Sequence, residues 1–236
     1  MVVAGGFDFS EEVALASCEA GAYTRLDPLR IGEVSEACPG LAASAQAVLA
    51  VGGGSSMFTA AEAFSSVEVL PLGAQQVTDS GHAFAVSGYA GNEMYEASVE
   101  WLDLSSEGLR NGWHFGPQLS QARAGCAACF GPDGCVWVLG GGCDESASLD
   151  TVERLDPRVG RWQEAPIMPG RRRCFAASFG VDRKLYIYGG WNRERWHEDS
   201  AARLDLRNLC WETLPSPMGE ADSIIPYHFV SGCTAL

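Results

Sequence analysis

RAGCAACFGPDGCVWVLGGGCDESASLDTVERLDPRVGRW, residues 123–162, is echoed without a gap by RRCFAASFGVDRKLYIYGGWNRERWHEDSAARLDLRNLCW, residues 172–211. The offset is 49 residues, and 15 of the 40 aligned positions are identical. The matches begin at Arg123/Arg172 and include Ala127/Ala176, Phe130/Phe179, Gly131/Gly180 and Asp133/Asp182. They continue through Gly140/Gly189, Gly141/Gly190, Leu155/Leu204 and Asp156/Asp205 to Trp162/Trp211. Unrelated segments do not agree this densely, so the chain is built from internal repeats, and the repeat dictates the fold.

Earlier copies are fainter. At an offset of 53, Ser87-Gly88 stands where Gly140-Gly141 stands, Val99-Glu100 matches Val152-Glu153, and Trp113 follows after a longer loop. Before that come Leu49-Ala50-Val51-Gly52-Gly53-Gly54 with Val67-Glu68, and Val2-Val3-Ala4-Gly5-Gly6 with Arg25-Leu26-Asp27-Pro28. Five copies are predicted, at approximately 1–40, 41–78, 79–121, 122–170 and 171–218, with 219–236 as a closing strand that pairs with the N-terminus.

Each copy reads as a small antiparallel sheet. Val136-Trp137-Val138-Leu139 and Leu185-Tyr186-Ile187-Tyr188 are short β-branched or aromatic runs bounded by turn residues. Asp133-Gly134 is a strong hairpin signal, and Asp182-Arg183 holds the same place. The glycine pair after the strand permits positive φ and a close backbone approach. A second strand ending in Leu-Asp, a tight turn and a strand carrying Trp complete the unit. Four short strands every 40–50 residues, with no helical period between them, are the pattern of propeller blades.

An apolar strand ending in Gly140-Gly141, then Val152-Glu153-Arg154-Leu155-Asp156, Trp162 and an exit at Met168, resembles the kelch motif. The resemblance is sharp over residues 80–218 and faint before them. It implies an all-β, kelch-type β-propeller with four-stranded antiparallel blades, of which about five are recognisable, in a closed ring or as part of a six-bladed one. Gly140, Gly141, Trp162, Gly189, Gly190 and Trp211 are then structural, the tryptophans filling the wedge between neighbouring blades.

Charge and cysteine usage narrow the function. The formal net charge is −14, and residues 1–120 carry three arginines against fifteen carboxylates, a net of −12. Such a surface repels phosphate backbones and anionic lipid, so neither nucleic acid nor membrane is an expected partner. No stretch approaches the length of uncharged apolar sequence needed to span a bilayer. Nine cysteines, most of them inside apolar runs, fit a reducing compartment, and a cytoplasmic location is expected. Cys126, Cys129, Cys135 and Cys143 have a spacing that suggests zinc, but Phe175, Ser178, Lys184 and Asn192 replace them one repeat later, which reads as packing. No metal and no cofactor is expected. His82, His114, His197 and His228 are scattered without a recurring carboxylate, so no catalytic residue is assigned.

The loop Trp191-Asn192-Arg193-Glu194-Arg195-Trp196-His197 packs two tryptophans and two arginines into seven residues, the types enriched at binding hot spots. Its counterpart after Gly140-Gly141 is small and acidic. Loops that diverge while their strands agree are where recognition is expected. Trp191, Asn192, Arg193, Arg195 and Trp196 are therefore candidate partner-binding residues. Arg123 and Arg172 open successive repeats. By resemblance to kelch adaptors that capture acidic peptides, they either reach a partner's carboxylate or make inter-blade salt bridges. The expected function is that of a non-enzymatic protein-interaction module, an adaptor or scaffold of the kind found in ubiquitin-ligase substrate receptors or on actin. The alternatives are a kelch-type epimerase or oxidase acting on a small molecule, or a degenerate fragment of a larger kelch protein.

Overall fold

The computed structural model describes residues 111–144, 147–192 and 200–215, together with strand segments between residues 2 and 103 and at 233–234. Strands β1 (Val2–Ala4), β2 (Val13–Glu19) and β3 (Ala22–Leu29) form one antiparallel sheet in that order. β4 (Gly40–Ala43), β5 (Ala47–Val51) and β6 (Val67–Pro71) belong to a second. β7 (His82–Tyr89), β8 (Tyr95–Asp103) and β9 (His114–Phe115) make a third. β10 (Ala127–Phe130), β11 (Val136–Leu139), β12 (Val152–Asp156) and β13 (Arg161–Ala165) form a four-stranded meander. β14 (Ala176–Phe179), β15 (Lys184–Tyr188), β16 (Ala201–Asp205) and β17 (Cys210–Leu214) repeat it. β18 (Cys233–Thr234) gives the second sheet its fourth strand, in the order β18-β4-β5-β6. The sheets are the antiparallel blades expected of a propeller. The third has three strands among the described residues; the positions matching β10, four residues near 75, lie outside them, as do 216–232 of the last predicted segment.

The chain divides into two compact units, residues 1–85 with 100–115 and 234–236, and residues 86–99 with 116–233. Within the second, the sequence periodicity becomes register. Val136 pairs with Phe130 on one side and Leu155 on the other, and 49 residues on Leu185 pairs with Phe179 and Leu204. β11 has neighbours along both edges and on both faces, and all four of its residues are buried. β13 and β17 are the outer strands, and both show the same mostly exposed pattern. The core joins the two four-stranded sheets: Trp137, Leu139, Met168, Phe175, Leu185, Ile187 and Leu204 are buried in one cluster. Trp137 meets Phe179 edge-on at 6.0 Å. Burying each such side chain stabilises the fold by roughly 1.5–3 kcal/mol.

The turns explain the punctuation. Asp133 Oδ1 accepts the Cys135 amide at 3.2 Å, while Gly134 turns with φ +77°. One repeat later Asp182 does the same for Lys184, with Arg183 at φ +63°. The glycine pair is explained by what crosses it. A Cβ on Gly140 would lie 2.5 Å from the Arg172 carbonyl and 2.9 Å from the Phe175 ring. The Gly141 amide donates to that same Arg172 carbonyl at 3.0 Å. The glycines let the following repeat begin directly against the preceding strand end.

The recurring tryptophans hold consecutive repeats together. Trp162 on β13 donates its indole N–H to the Pro117 carbonyl at 2.7 Å, and Trp211 on β17 donates to the Pro166 carbonyl at 2.9 Å.

Candidate functional site

The arginines that open the two repeats are placed inside their sheets. Arg123 is fully buried. Its Nη2 pairs with Glu153 Oε1 at 2.6 Å, and its Nη1 donates to the Gly140 carbonyl and to Thr151 Oγ1, both at 3.1 Å. Glu153 Oε2 accepts the Ser120 amide at 3.0 Å, so the buried carboxylate is satisfied on both sides. Arg172 is 1% exposed. It donates to the carbonyls of Gly189, Ser200 and Pro169 at 3.0–3.2 Å and to Ser200 Oγ at 3.0 Å. Both guanidinium groups thus tie the glycine-pair strand end to the start of their own repeat, and neither is presented to solvent.

The next residue, Arg173, is the one that links the loops. Its Nε donates to Ser148 Oγ at 3.1 Å, and its Nη2 donates to the carbonyls of Ala147 at 2.8 Å and Asp144 at 3.1 Å. These acceptors all belong to the loop after the first glycine pair. The guanidinium lies over Gly142, where a Cβ would collide with it. Its other contact is with the second loop: the guanidinium carbon sits 4.6 Å from the Trp191 ring centroid, within cation–π range. The Arg173 and Trp191 backbones exchange two hydrogen bonds of 3.0 Å, which fixes the base of the loop. Asn192 Nδ2 donates to the Arg171 carbonyl at 2.9 Å. Trp191 and Asn192 are half-buried. Arg193, Arg195 and Trp196 lie outside the described residues.

Sequence reading passed over Arg173 because the equivalent residue one repeat earlier is Ala124 and the position has no periodicity. A signal was nevertheless present. Gly142 and Trp191 occupy the same place in successive repeats, and a glycine exchanged for a tryptophan marks a site where a neighbouring side chain fills the gap. Glu153 escaped notice for a related reason, since Ala202 replaces it one repeat later.

The cysteines are divided between core and interface. Cys129 and Cys135 are buried in the strands or turns of the first repeat. Burial pushes the Cys135 thiol above its ordinary pKa, and the nearby Asp133 charge adds to the effect. Cys126 lies 3.2 Å from Ser87 Oγ. Burial raises its pKa, opposed by that hydrogen bond and by the Arg123 charge. Cys126, Cys129, Cys135, Cys143, Cys174 and Cys210 are free thiols. Among the described residues no group of His, Cys, Asp and Glu is placed to hold a metal ion, and no helix is long and apolar enough to cross a membrane. His82 and His114 flank Trp101 on neighbouring strands, with ring centroids 5.4 and 4.8 Å from the indole.

Comparison with known families agrees with the repeat geometry. The family model of the kelch motif matches twice, over residues 122–169 and 172–218. These spans contain the sheets β10–β13 and β14–β17, with their glycine pairs and latching tryptophans. A comparison with curated proteins finds no match. Kelch repeats commonly serve as protein-interaction modules. Residues 122–218 are two repeats of the kelch motif.

Proposed function

We propose that the chain is a non-enzymatic adaptor or scaffold in the cytoplasm, which holds a protein partner on the loops that follow the glycine pairs, with Trp191 as the central contact. The observation that carries this reading is the Arg173 bracket. One guanidinium is hydrogen-bonded to the first loop through Ser148, Ala147 and Asp144 and stacked at 4.6 Å on Trp191 of the second. Trp191 is thereby held in place beside Asp144, Ala147 and Ser148, and ordering in advance lowers the entropic cost of binding. Tryptophan on a rigid support is also the residue type that most often dominates an interface. Arg123 and Arg172 take no part in this surface, because both are buried and their Nη groups donate inside their own sheets.

The test is affinity purification with wild type, Trp191→Ala and the conservative Arg173→Lys, each first shown to melt at the wild-type temperature. Partners held by this face are lost with Trp191→Ala and weakened with Arg173→Lys, since a lysine reaches fewer of the three acceptors. Recovery of the same partners by Trp191→Ala at wild-type yield would place the binding face elsewhere.

A further inference from the structure

Two Asx-Gly steps occur in the sequence, Asn111-Gly112 and Asp133-Gly134, and they have opposite surroundings. Asx-Gly steps are chemically labile because the glycine amide nitrogen, unshielded by any Cβ, can attack the side-chain carbonyl of the residue before it. Asp133 is held against this. Its Oδ1 accepts from the Cys135 amide and the Trp137 indole, and its Oδ2 accepts from Arg154 at 2.9 Å. The Gly134 amide is itself donated to the Gly131 carbonyl at 2.9 Å. Asn111 is exposed, and among the described residues its side chain makes no hydrogen bond. It has helical backbone geometry, which the chain leaves at Gly112 with φ +76°; nothing lies within 4 Å of where a Gly112 Cβ would sit. Gly112 carries no Cβ and has open space on that side, so the rotation that the attack requires is accessible. The two other described asparagines are both engaged: Asn192 donates to the Arg171 carbonyl, and Asn208 accepts from the Cys210 amide. Neither is followed by glycine.

We infer that Asn111 is a site of spontaneous backbone modification in the folded protein. The Gly112 nitrogen bonds to the Asn111 side-chain carbonyl carbon, the carbon–Nδ2 bond breaks, and ammonia leaves with the proton from the glycine amide. Water then opens the cyclic imide at either carbonyl. The products are aspartate, or isoaspartate with the main chain rerouted through the side chain. Either adds a negative charge. The isoaspartyl form also lengthens the backbone three residues before His114, whose strand pairs with Trp101 and whose ring stacks on it.

The experiment incubates folded wild type, guanidinium-unfolded wild type and folded Asn111→Gln in mildly alkaline buffer, followed by peptide mapping and an isoaspartate assay. The wild-type peptide containing residue 111 gains the mass difference between amide and hydroxyl in the folded protein, at a rate within about tenfold of the unfolded chain. The glutamine variant shows no such product, because its longer side chain would have to close a larger ring. Isoaspartate at Asp133 forms at least about tenfold more slowly in the folded than in the unfolded chain. An Asn111 that stays intact in the folded protein while it reacts in the unfolded one overturns the inference. So does Asp133 reacting as fast as Asn111 in the folded state.

Discussion

At the head of the sheet β10–β13, Arg123 faces Glu153; at the head of β14–β17, the same place sets Arg172 opposite Ala202. The replacement is not isolated. Glu153 also accepts the amide of Ser120, and the residue matching Ser120 one repeat later is Pro169, which has no amide to give. Acceptor and donor therefore disappear together. Arg172 turns instead to the Pro169 carbonyl and to Ser200. A second exchange concerns the glycine pair. Gly140 lies against the Phe175 ring, whereas in the preceding repeat Ser87 lies against Cys126, a larger residue facing a smaller one. What the fold conserves is the filled volume and the satisfied donor, and the residue types are free to change as long as they change in pairs.

The two sheets also differ in strain. Where the first has Gly125, Gly134 and Gly160 at φ +61°, +77° and +70°, the second has Cys174, Arg183 and Leu209 at +52°, +63° and +56°. The left-handed conformation costs an L-residue with a side chain roughly 1–2 kcal/mol. Three such positions make the second sheet the more strained copy of one design.

The largest expected effect comes from making the first sheet imitate the second halfway. Glu153→Ala leaves Arg123 buried without its carboxylate and orphans the Ser120 amide. It is expected to lower unfolding free energy by about 3–5 kcal/mol in urea titration. A loss below about 1 kcal/mol would mean that carbonyl oxygens serve Arg123 as well as they serve Arg172. Next in size is Gly142→Ala, which gives the first loop a Cβ like that of Trp191. The new methyl displaces Arg173 from three acceptors and is expected to cost about 1–3 kcal/mol. Circular-dichroism melting checks the loss, and reduced partner binding accompanies it. Unchanged stability would show that the guanidinium moves aside without losing its acceptors.

Relief of strain acts in the other direction. Leu209→Gly is expected to raise stability by about 1 kcal/mol, or roughly 2–4 °C in Tm. Leu209 is 52% exposed, so little packing is lost with its side chain. The reverse change, Gly160→Leu, should lower Tm by a similar amount. Arg183→Gly should gain less, because it also removes the 3.3 Å hydrogen bond from Arg183 to the Pro132 carbonyl. Equal Tm values for Leu209→Gly and wild type would show that the strain is absorbed elsewhere.

The smallest effect is one the two sheets share. Asp156 is held below its ordinary pKa of 3.8 by the hydrogen bond from the Arg158 side chain, and Asp205 by the one from the Arg207 backbone amide. A depressed carboxyl adds stability above its unfolded pKa and loses it as pH falls through the lower folded value. Both contributions should therefore fade below about pH 4. Asp156→Asn should flatten part of the acid limb of a stability–pH curve, and an unchanged limb would count against it.

The scaffold was legible because its determinants repeat. Glycine pairs, Asp-led turns and spaced tryptophans recur at 49 residues, and each reports a backbone constraint that only a few residue types meet. The site was legible only in part. Trp191 and Asn192 were marked by composition, but their geometry depends on Arg173, Ser148 and Gly142, which come from different loops and share no period. Arg123 and Arg172 were visible as a repeat feature, yet the sequence left open whether they met a partner or another charge. Only the position of Glu153 two strands away, and its loss at Ala202, shows how each is satisfied. Periodicity reports what every blade needs; it is silent where one blade departs from the next.

The tryptophan latches bear on how the array changes its copy number. Both indoles reach back 45 residues to a proline carbonyl at the same point of the preceding repeat. Recombination that removes one 49-residue period in frame would hand the Trp211 donor to Pro117 at an unchanged spacing. Gain or loss of whole modules therefore leaves no indole stranded, whereas a cut at any other length would.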